Sequence, residues 1–191
     1  MAYRCGYGSN VRTGAVPVGP FPSGTDEADY DRLRRRVLWS LPAGLYILGS
    51  RARQRRNLMT LNWVMQVSLD PKLVAVSVER SAISHALIAE GRCYSVSLVA
   101  RENSAVVRRF VKPPNHDLEA HTLGGIGYRD GPSGAPIPEI AVGYLDCELR
   151  QSLELGTHSL FVGEVVDAGF APLGEGVPVL RMEDTRMSYG G

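Results

Sequence analysis

Four consecutive residues in the first third of the chain have side chains suited to binding a flat heterocycle. Thr60 and Asn62 alternate with Leu61 and Trp63, which is the pattern of a strand with one polar and one apolar face. One interpretation is a half-buried strand of a barrel. The other is a binding site, in which backbone amides and the Thr60 and Asn62 side chains hydrogen-bond the polar edge of a ring and stabilise charge that develops on it.

A second group of polar residues lies where a predicted strand passes into a predicted helix. The group contains Ser77, Glu79, Arg80, Ser81 and Ser84. Amides at a helix N-terminus attract phosphate, and serine hydroxyls and an arginine add further donors. Capping of the helix by Ser81 or Ser84 explains only one of these residues. The group therefore indicates either an anion site or a capped helix.

His158 is the third candidate for chemistry. It follows the turn residues Leu155-Gly156-Thr157 and precedes a β run that contains Gly163. A lone histidine fits a structural role, whereas small neighbours at the end of a strand leave room for a ligand. A glycine inside a strand marks a bulge or the close approach of another group. The spacing supports no Ser/His/Asp or Cys/His arrangement.

Other motifs predict no site. The glycine-rich run Leu123–Gly127 lacks the Lys-Ser/Thr ending of a phosphate loop and is expected to be a flexible loop. His116 and His121 are five positions apart, so they do not share one helical face, and no metal site is expected. The three cysteines are far apart and are expected to be reduced structural thiols.

The charge distribution is balanced overall and uneven locally. A net charge of +1 offers no general attraction to nucleic acid, and no nucleic-acid partner is expected. Between Arg32 and Arg56 there are eight arginines and no acid, which predicts either a solvated basic face or an anion site for a phosphate-bearing ligand. The apolar runs are too short to cross a bilayer and the N-terminus lacks an apolar signal core, so a cytoplasmic location is expected.

The elements that must position these residues are mainly strands. Turn signals and periodicity predict strands over 44–50, 58–69, 72–79, 92–99, 140–155, 159–168 and 177–182, and helices over 27–39, 81–90 and 102–110. Residues 113–138, rich in proline and glycine, are expected to form a long excursion with about one helical turn. We expect an irregular arm over residues 1–24 and one domain over residues 25–191. Without βαβ alternation, a closed and mainly antiparallel barrel fits best.

Several segments together resemble the flavin reductase family, whose members have an FMN-binding split barrel. The resemblance runs from about residue 41 to residue 169, and the order and spacing of its pieces make it specific. The pieces are Leu41-Pro42-Ala43-Gly44-Leu45-Tyr46, Asn57-Leu58-Met59-Thr60-Leu61-Asn62-Trp63, Gln66-Val67-Ser68-Leu69-Asp70-Pro71, Tyr94-Ser95-Val96-Ser97-Leu98 and the run from Gly156 to Val165.

The resemblance implies a mainly β fold: a split β-barrel, mostly antiparallel and Greek-key-like, with a few short helices. It implies a homodimer that binds FMN, or alternatively FAD, and uses NADH or NADPH as the electron donor. In such a site Thr60, Leu61, Asn62 and Trp63 face the flavin ring. The residues implied along the ribityl phosphate are Ser68, Arg80, Ser81 and Ser84.

The resemblance also places His158 beside the nicotinamide and makes it the catalytic-site residue. Two departures stand out. Asn62 occupies a position where many relatives have a small residue, and Thr157 replaces the aspartate of the usual Gly-Asp-His turn. The excursion over 113–138 is a further difference, which is expected to remodel the nicotinamide pocket.

Three functions follow as hypotheses. The first is an NAD(P)H-dependent flavin reductase that supplies reduced flavin to a partner such as a monooxygenase. The second is a flavoprotein that keeps FMN bound and reduces a non-flavin acceptor or shuttles electrons. The third is a non-enzymatic module that uses the arginine-rich stretch to hold a phosphorylated ligand.

Overall fold

A capped helix opens the part of the chain that the computed structural model describes, residues 19–185 and Met187. Helix α1 spans Glu27–Trp39, as predicted. The Asp26 carboxylate accepts a hydrogen bond from the backbone N–H of Asp29, and acids in the first turn suit the helix dipole. Residues 1–18, most of the expected N-terminal arm, lie outside the described residues. No described helix is long and apolar enough to span a membrane.

Eleven strands build two antiparallel sheets. In chain order they are β1 (Tyr46–Ala52), β2 (Arg55–Leu61), β3 (Val64–Leu69), β4 (Lys72–Glu79), β5 (Cys93–Leu98), β6 (His116–Asp117), β7 (Thr122–Leu123), β8 (Ile126–Asp130), β9 (Pro136–Pro138), β10 (Gly143–Leu155) and β11 (His158–Phe170). The larger sheet has seven strands in the order β2-β1-β5-β10-β11-β4-β3. The mainly β, antiparallel fold class expected from the sequence is therefore observed.

The two edges of the seven-stranded sheet are consecutive in the chain. The strand predicted over 58–69 is in fact two strands, because β2 ends at Leu61 and β3 begins at Val64. Strands β2 and β3 are the opposite edges of the sheet, yet only Asn62 and Trp63 join them. Three Cα–Cα steps reach at most about 11 Å. The sheet must therefore curl until its edges approach each other at this two-residue link.

The curled sheet has an apolar core on each face. The inner cluster includes Val76, Tyr94 and Phe161, all almost fully buried. The outer cluster, which includes Ile47 and Phe110, lies beneath the excursion. Alternation along the strands separates these two sets of side chains.

Helix α2 spans Ile83–Gly91 and packs on strands β1 and β2. Its N-cap is Ala82, which makes no side-chain capping bond, so the expectation that Ser81 or Ser84 caps the helix is wrong. The Ser81 hydroxyl donates instead to the Glu79 carboxylate. Helix capping therefore does not explain the serines at this junction.

The excursion is ordered as a small sheet rather than an irregular loop with one helical turn. Strands β6 to β9 form it, and it docks on the large sheet through buried polar contacts. The backbone N–H and the hydroxyl of Ser133 both donate to the Asp146 carboxylate, at 2.7 and 2.5 Å. The Ser95 hydroxyl donates to the Pro136 carbonyl. These strands have two to five residues, too few to show a period in the sequence.

Two further predicted elements differ from the structure. The helix expected over 102–110 is a pair of 3₁₀ turns, Arg101–Asn103 and Val106–Phe110. The strand expected over 177–182 makes only two isolated bridges and then a 3₁₀ turn, Met182–Asp184. Both segments are short and form backbone hydrogen bonds with neighbouring elements. Periodicity along the sequence does not indicate such bonds.

Candidate functional site

A groove of about 780 Å³ lies beside the link between β2 and β3. Its wall combines the end of α1, the start of β1, the link, strands β3, β4 and β11, and the C-terminal segment. The lining residues are Leu38, Trp39, Ser40, Leu41, Pro42, Ala43, Gly44, Tyr46, Asn62, Trp63, Val64, Met65, Ala75, Ser77, Leu160, Met182, Glu183, Thr185 and Met187. Glu183 is the one charged side chain among them. The groove therefore has the volume and the mixture of apolar, aromatic and polar groups of a small-molecule site.

The two-residue link presents one polar and one aromatic side chain to this groove. The Trp63 carbonyl accepts from the Ser77 N–H at 3.1 Å and the Asn62 carbonyl accepts from the Val64 N–H at 3.1 Å, which fixes the backbone. Asn62 as a whole residue is 7% exposed and lines the groove. Its side-chain amide carries both a donor and an acceptor, so this group can bond a ligand in the groove.

His158 contacts the groove through Trp63. The two rings have their centroids 4.9 Å apart and their planes inclined by 56°. Burial lowers the pKa of His158, so the imidazole is neutral at neutral pH. Its Nδ1 lies 2.8 Å from the Thr157 hydroxyl, which shows that threonine takes over a contact with the ring at the altered turn. His158 itself is beside the groove and does not line it.

Arg80 and Ser81 lie on the far side of His158. The Arg80 N–H donates to the Thr157 carbonyl at 2.9 Å, so the two turns touch. The Arg80 guanidinium pairs with Glu154 at 3.2 Å, and both side chains are more than half exposed. An exposed pair of this kind contributes little stability and yields readily to a competing anion. Arg80 and Ser81 are therefore available near the groove but are not in its wall.

Ser84 faces neither the groove nor the exposed turn that contains Arg80. It is fully buried, and its hydroxyl oxygen accepts from the Ser50 hydroxyl at 3.0 Å and from the Asn57 amide at 2.9 Å. These bonds tie α2 to strands β1 and β2. The structure does not bring Ser84 to the groove or to the exposed turn of Arg80.

The other ring and phosphate candidates have structural contacts. The Thr60 hydroxyl donates to the Val107 carbonyl, and Leu61 packs in the inner core. Ser68 lies on edge strand β3, where its carbonyl accepts from the Gln66 amide. None of Thr60, Leu61 and Ser68 lines the groove. Of the residues predicted to contact flavin, only Asn62 and Trp63 line it.

The arginine-rich stretch is divided between two elements and is mostly paired. Four of its arginines are on α1 and four are in the β1–β2 hairpin. Five of the eight pair with carboxylates of the chain: Arg32 with Asp29, Arg34 and Arg35 with Asp31, Arg53 with Glu90, and Arg56 with Asp130. The stretch is thus not one open anion site.

Several groove residues had no signal in the sequence. Tyr46 lines the groove with its hydroxyl against Gly44, where an added Cβ would lie 2.2 Å away. Burial raises the pKa of Tyr46, so its hydroxyl stays protonated and can donate. Trp39 and Met182 reach the groove from opposite ends of the chain, a proximity that spacing along the sequence does not reveal.

Comparison with known families identifies the chain. The sequence profile described as "Flavin reductase like domain" matches residues 38–186. The chain belongs to this family. The resemblance inferred from the sequence is thereby confirmed, and the match covers every described residue of the groove wall except Met187.

Two curated relatives are similar over most of the chain. The high molecular weight rubredoxin of Moorella thermoacetica is 31% identical over 142 residues, which are 73% of this chain and 61% of that protein. The NADH-dependent FAD reductase of Streptomyces globisporus is 31% identical over 151 residues, which are 77% of this chain and 81% of that protein. The chain thus spans less than two thirds of the rubredoxin.

Solved structures show the same fold. The Streptomyces globisporus NADH:FAD oxidoreductase in complex with NAD and FAD fragments is 26% identical, with a TM-score of 0.69, covering 87% of this chain and 96% of that chain. The flavin reductase component of a bacterial two-component tryptophan halogenase is 27% identical, with a TM-score of 0.64, covering 75% of this chain and 89% of that chain.

Proposed function

We propose that this flavin reductase family protein binds a flavin with the ring in the groove and reduces it with NADH or NADPH. The observation that carries the proposal is the two-residue link, which places the amide of Asn62 and the ring of Trp63 side by side in a groove lined by both apolar and polar groups. The relatives named as NADH-dependent FAD reductase and flavin reductase support the same activity.

The groove fits the ring end of a flavin. An isoalloxazine is flat and apolar at one end and carries hydrogen-bonding groups at the other. Trp63 supplies an aromatic surface, and Asn62 and the Tyr46 hydroxyl supply polar groups for the ring edge. Among the described lining residues there is no cation, and we propose that the phosphate of the flavin lies outside the groove.

Arg80 and Ser81 are the proposed phosphate ligands. They are exposed, they lie one turn from His158, and Arg80 needs only to leave an exposed pair with Glu154 to bind an anion. Ser84 is better assigned to the packing of α2, because its hydroxyl is fully occupied inside the protein.

The chain's own residues position the reactants rather than transfer a proton. A bound flavin supplies the two-electron chemistry, and hydride transfer to it requires no protein acid or base. His158, neutral and packed on Trp63, shapes the side from which a nicotinamide approaches. Leu41, Met65 and Met182 contribute apolar surface to the groove wall.

The architecture we propose is the split barrel of the family, formed by the curled seven-stranded sheet. We further propose a homodimer, because apolar side chains on the edge strand β3 are left in solvent: Met65 is 64% exposed and Leu69 is 79% exposed. Leu153 and Leu155 of β10 are exposed in the same sheet. A protomer alone seldom leaves so many apolar groups in water.

FMN is the proposed cofactor, although FMN and FAD have the same ring and the groove suits both.

A flavin-dependent monooxygenase is the proposed partner, by analogy with the halogenase reductase component. The second candidate function, reduction of a non-flavin acceptor, is supported by the 29% identical ferric-chelate reductase of Archaeoglobus fulgidus.

A cytoplasmic location is proposed because the described cysteines, Cys93 and Cys147, are free thiols.

Titration of the purified protein with FMN and with FAD tests where the flavin binds. We expect Asn62→Ala and Trp63→Leu each to weaken flavin binding about tenfold, since each removes a contact worth about 1 kcal/mol or more. Ser68→Ala is the matched control, because Ser68 is outside the groove, and its affinity should equal that of the wild type. Wild-type affinity in both groove variants would show that the ring binds elsewhere.

A further inference from the structure

The last described segment of the chain is joined to the sheet as an added piece of wall. It runs from Pro178 to Thr185 and lies between the start of β1 and the residues that follow β5. Four backbone hydrogen bonds hold its first half: Arg101 N–H to Pro178 O, Leu180 N–H to Val99 O, Leu45 N–H to Leu180 O and Met182 N–H to Ala43 O. The Leu180 side chain is buried beneath it. The segment is therefore part of the fold up to Met182.

Beyond Met182 the segment forms the 3₁₀ turn Met182–Asp184. Two backbone bonds close this turn, from the Asp184 N–H to the Arg181 carbonyl and from the Thr185 N–H to the Met182 carbonyl, and Met182 packs against the outer cluster. One carboxylate ties the turn to the residues that follow β5: Asp184 Oδ2 accepts from Arg101 Nε at 3.0 Å and from the Arg181 backbone N–H at 2.9 Å. The Asp184 side chain is only 18% exposed.

The turn that Asp184 closes is the part of the segment that lines the groove. Met182, Glu183 and Thr185 all lie in the groove wall, within two positions of Asp184, whereas Asp184 itself points away to Arg101. The end of α1 lines the same groove through Trp39, as does Leu41 shortly after it. Part of the groove wall thus lies on the turn that this carboxylate holds.

We propose that Asp184 is a positioning residue that sets how slowly flavin leaves the groove. With the carboxylate in place, Met182 and Thr185 are fixed and the groove stays narrow. Without it, the turn loses its two anchoring bonds while the four backbone bonds upstream remain, so the wall opens locally. The same groove then holds its flavin less long. The inference rests on the proposed function. It adds that the contacts of Asp184 decide whether bound flavin is retained or exchanged.

The test is the dissociation rate of FMN from the full-length protein, measured by stopped-flow displacement. We expect Asp184→Ala to release FMN about tenfold faster than the wild type, because the turn loses both hydrogen bonds that the carboxylate accepts. Arg101→Gln, which removes only one of the two bonds, should give a smaller increase. The first-order rate of reduction of bound flavin at saturating NADH or NADPH should change less than about twofold.

Glu175→Ala is the matched control, because Glu175 is an exposed acid of the same C-terminal region outside the groove wall. Its FMN release should equal that of the wild type. Asp184→Asn keeps the shape of the side chain and remains informative if Asp184→Ala does not fold.

Equal release rates in Asp184→Asn, Arg101→Gln and the wild type would overturn the inference, as would faster release in Glu175→Ala. A wild-type protein that binds no flavin would instead overturn the proposed function. The two failures are therefore distinguishable.

Discussion

At the scale of single residues, polar side chains two positions apart have different roles. Asn62 and Trp63 line the groove, whereas Thr60, two residues before Asn62, donates to the Val107 carbonyl. Alternation along a strand shows which residues share a face. It does not show which face meets a ligand, because that depends on what covers each side of the sheet.

Ser84 illustrates the same limit at a helix start. Its position predicted an anion contact or a cap, and the structure gives it two internal hydrogen bonds instead. We expect Ser84→Ala to lower the free energy of unfolding by about 1–3 kcal/mol, because Ser50 and Asn57 lose a buried partner. Its affinity for FMN should be unchanged.

Chemical denaturation of the flavin-free protein and FMN titration measure these two quantities. Ser81→Ala is the control with the opposite expectation: an unchanged free energy of unfolding and weaker FMN binding. The exposed Ser81 hydroxyl adds little stability and is a proposed phosphate ligand. Loss of FMN affinity in Ser84→Ala without loss of stability would contradict this assignment.

At the scale of elements, strands with clear turn signals were predicted well. Strand β4 has the predicted bounds of Lys72–Glu79, between the Asp70-Pro71 turn and the junction with α2. The break at Asn62 and Trp63 was missed because the alternation of polar and apolar residues continues through it, although the two strands belong to opposite edges of the sheet. Only the tertiary curl of the sheet separates them.

The excursion yields a prediction about pH, because a buried carboxylate holds it. Burial raises the pKa of Asp146 above its usual value of 3.8, although hydrogen bonds from Ser133 oppose the shift. The folded state therefore holds the proton more tightly than the unfolded state. We expect this group's contribution to stability to be greatest at low pH and to decline as pH rises through the raised pKa.

Asp146→Asn removes that dependence. The free energy of unfolding, measured by denaturant titration at a series of pH values, should fall in the wild type relative to the variant as pH rises from about 4. A wild-type stability that rises relative to the variant over the same range would contradict the sign of the shift. Asp117→Asn, an exposed acid of the excursion, serves as the control.

At the scale of the whole molecule, the family and the mainly β class could be predicted because several short motifs occur in a specific order. The groove could not be predicted in full, since its described walls come from residues 38–44, 46, 62–65, 75, 77, 160, 182, 183, 185 and 187. Trp39 and Met182 are brought together by the fold and not by any local pattern. The chain has two tryptophans, and both line this groove.

The exposed face of β3 makes the dimer proposal testable. We expect Leu69→Asp to raise the dimer dissociation constant about tenfold or more, because a charge would enter an apolar contact. Leu173→Asp is the control, since Leu173 is even more exposed but lies in a loop outside the sheet. Sedimentation equilibrium over a range of concentrations measures both. A wild type that is monomeric throughout would contradict the proposal.

The central claim is that flavin held in this groove accepts electrons from a reduced nicotinamide. Anaerobic stopped-flow mixing of the FMN-loaded protein with NADH, and separately with NADPH, tests it most directly through the visible absorbance of the flavin. We predict that at least one donor bleaches the bound flavin, and that Trp63→Leu loaded to the same extent is slower. Flavin that stays bound and oxidised with both donors would contradict the claim.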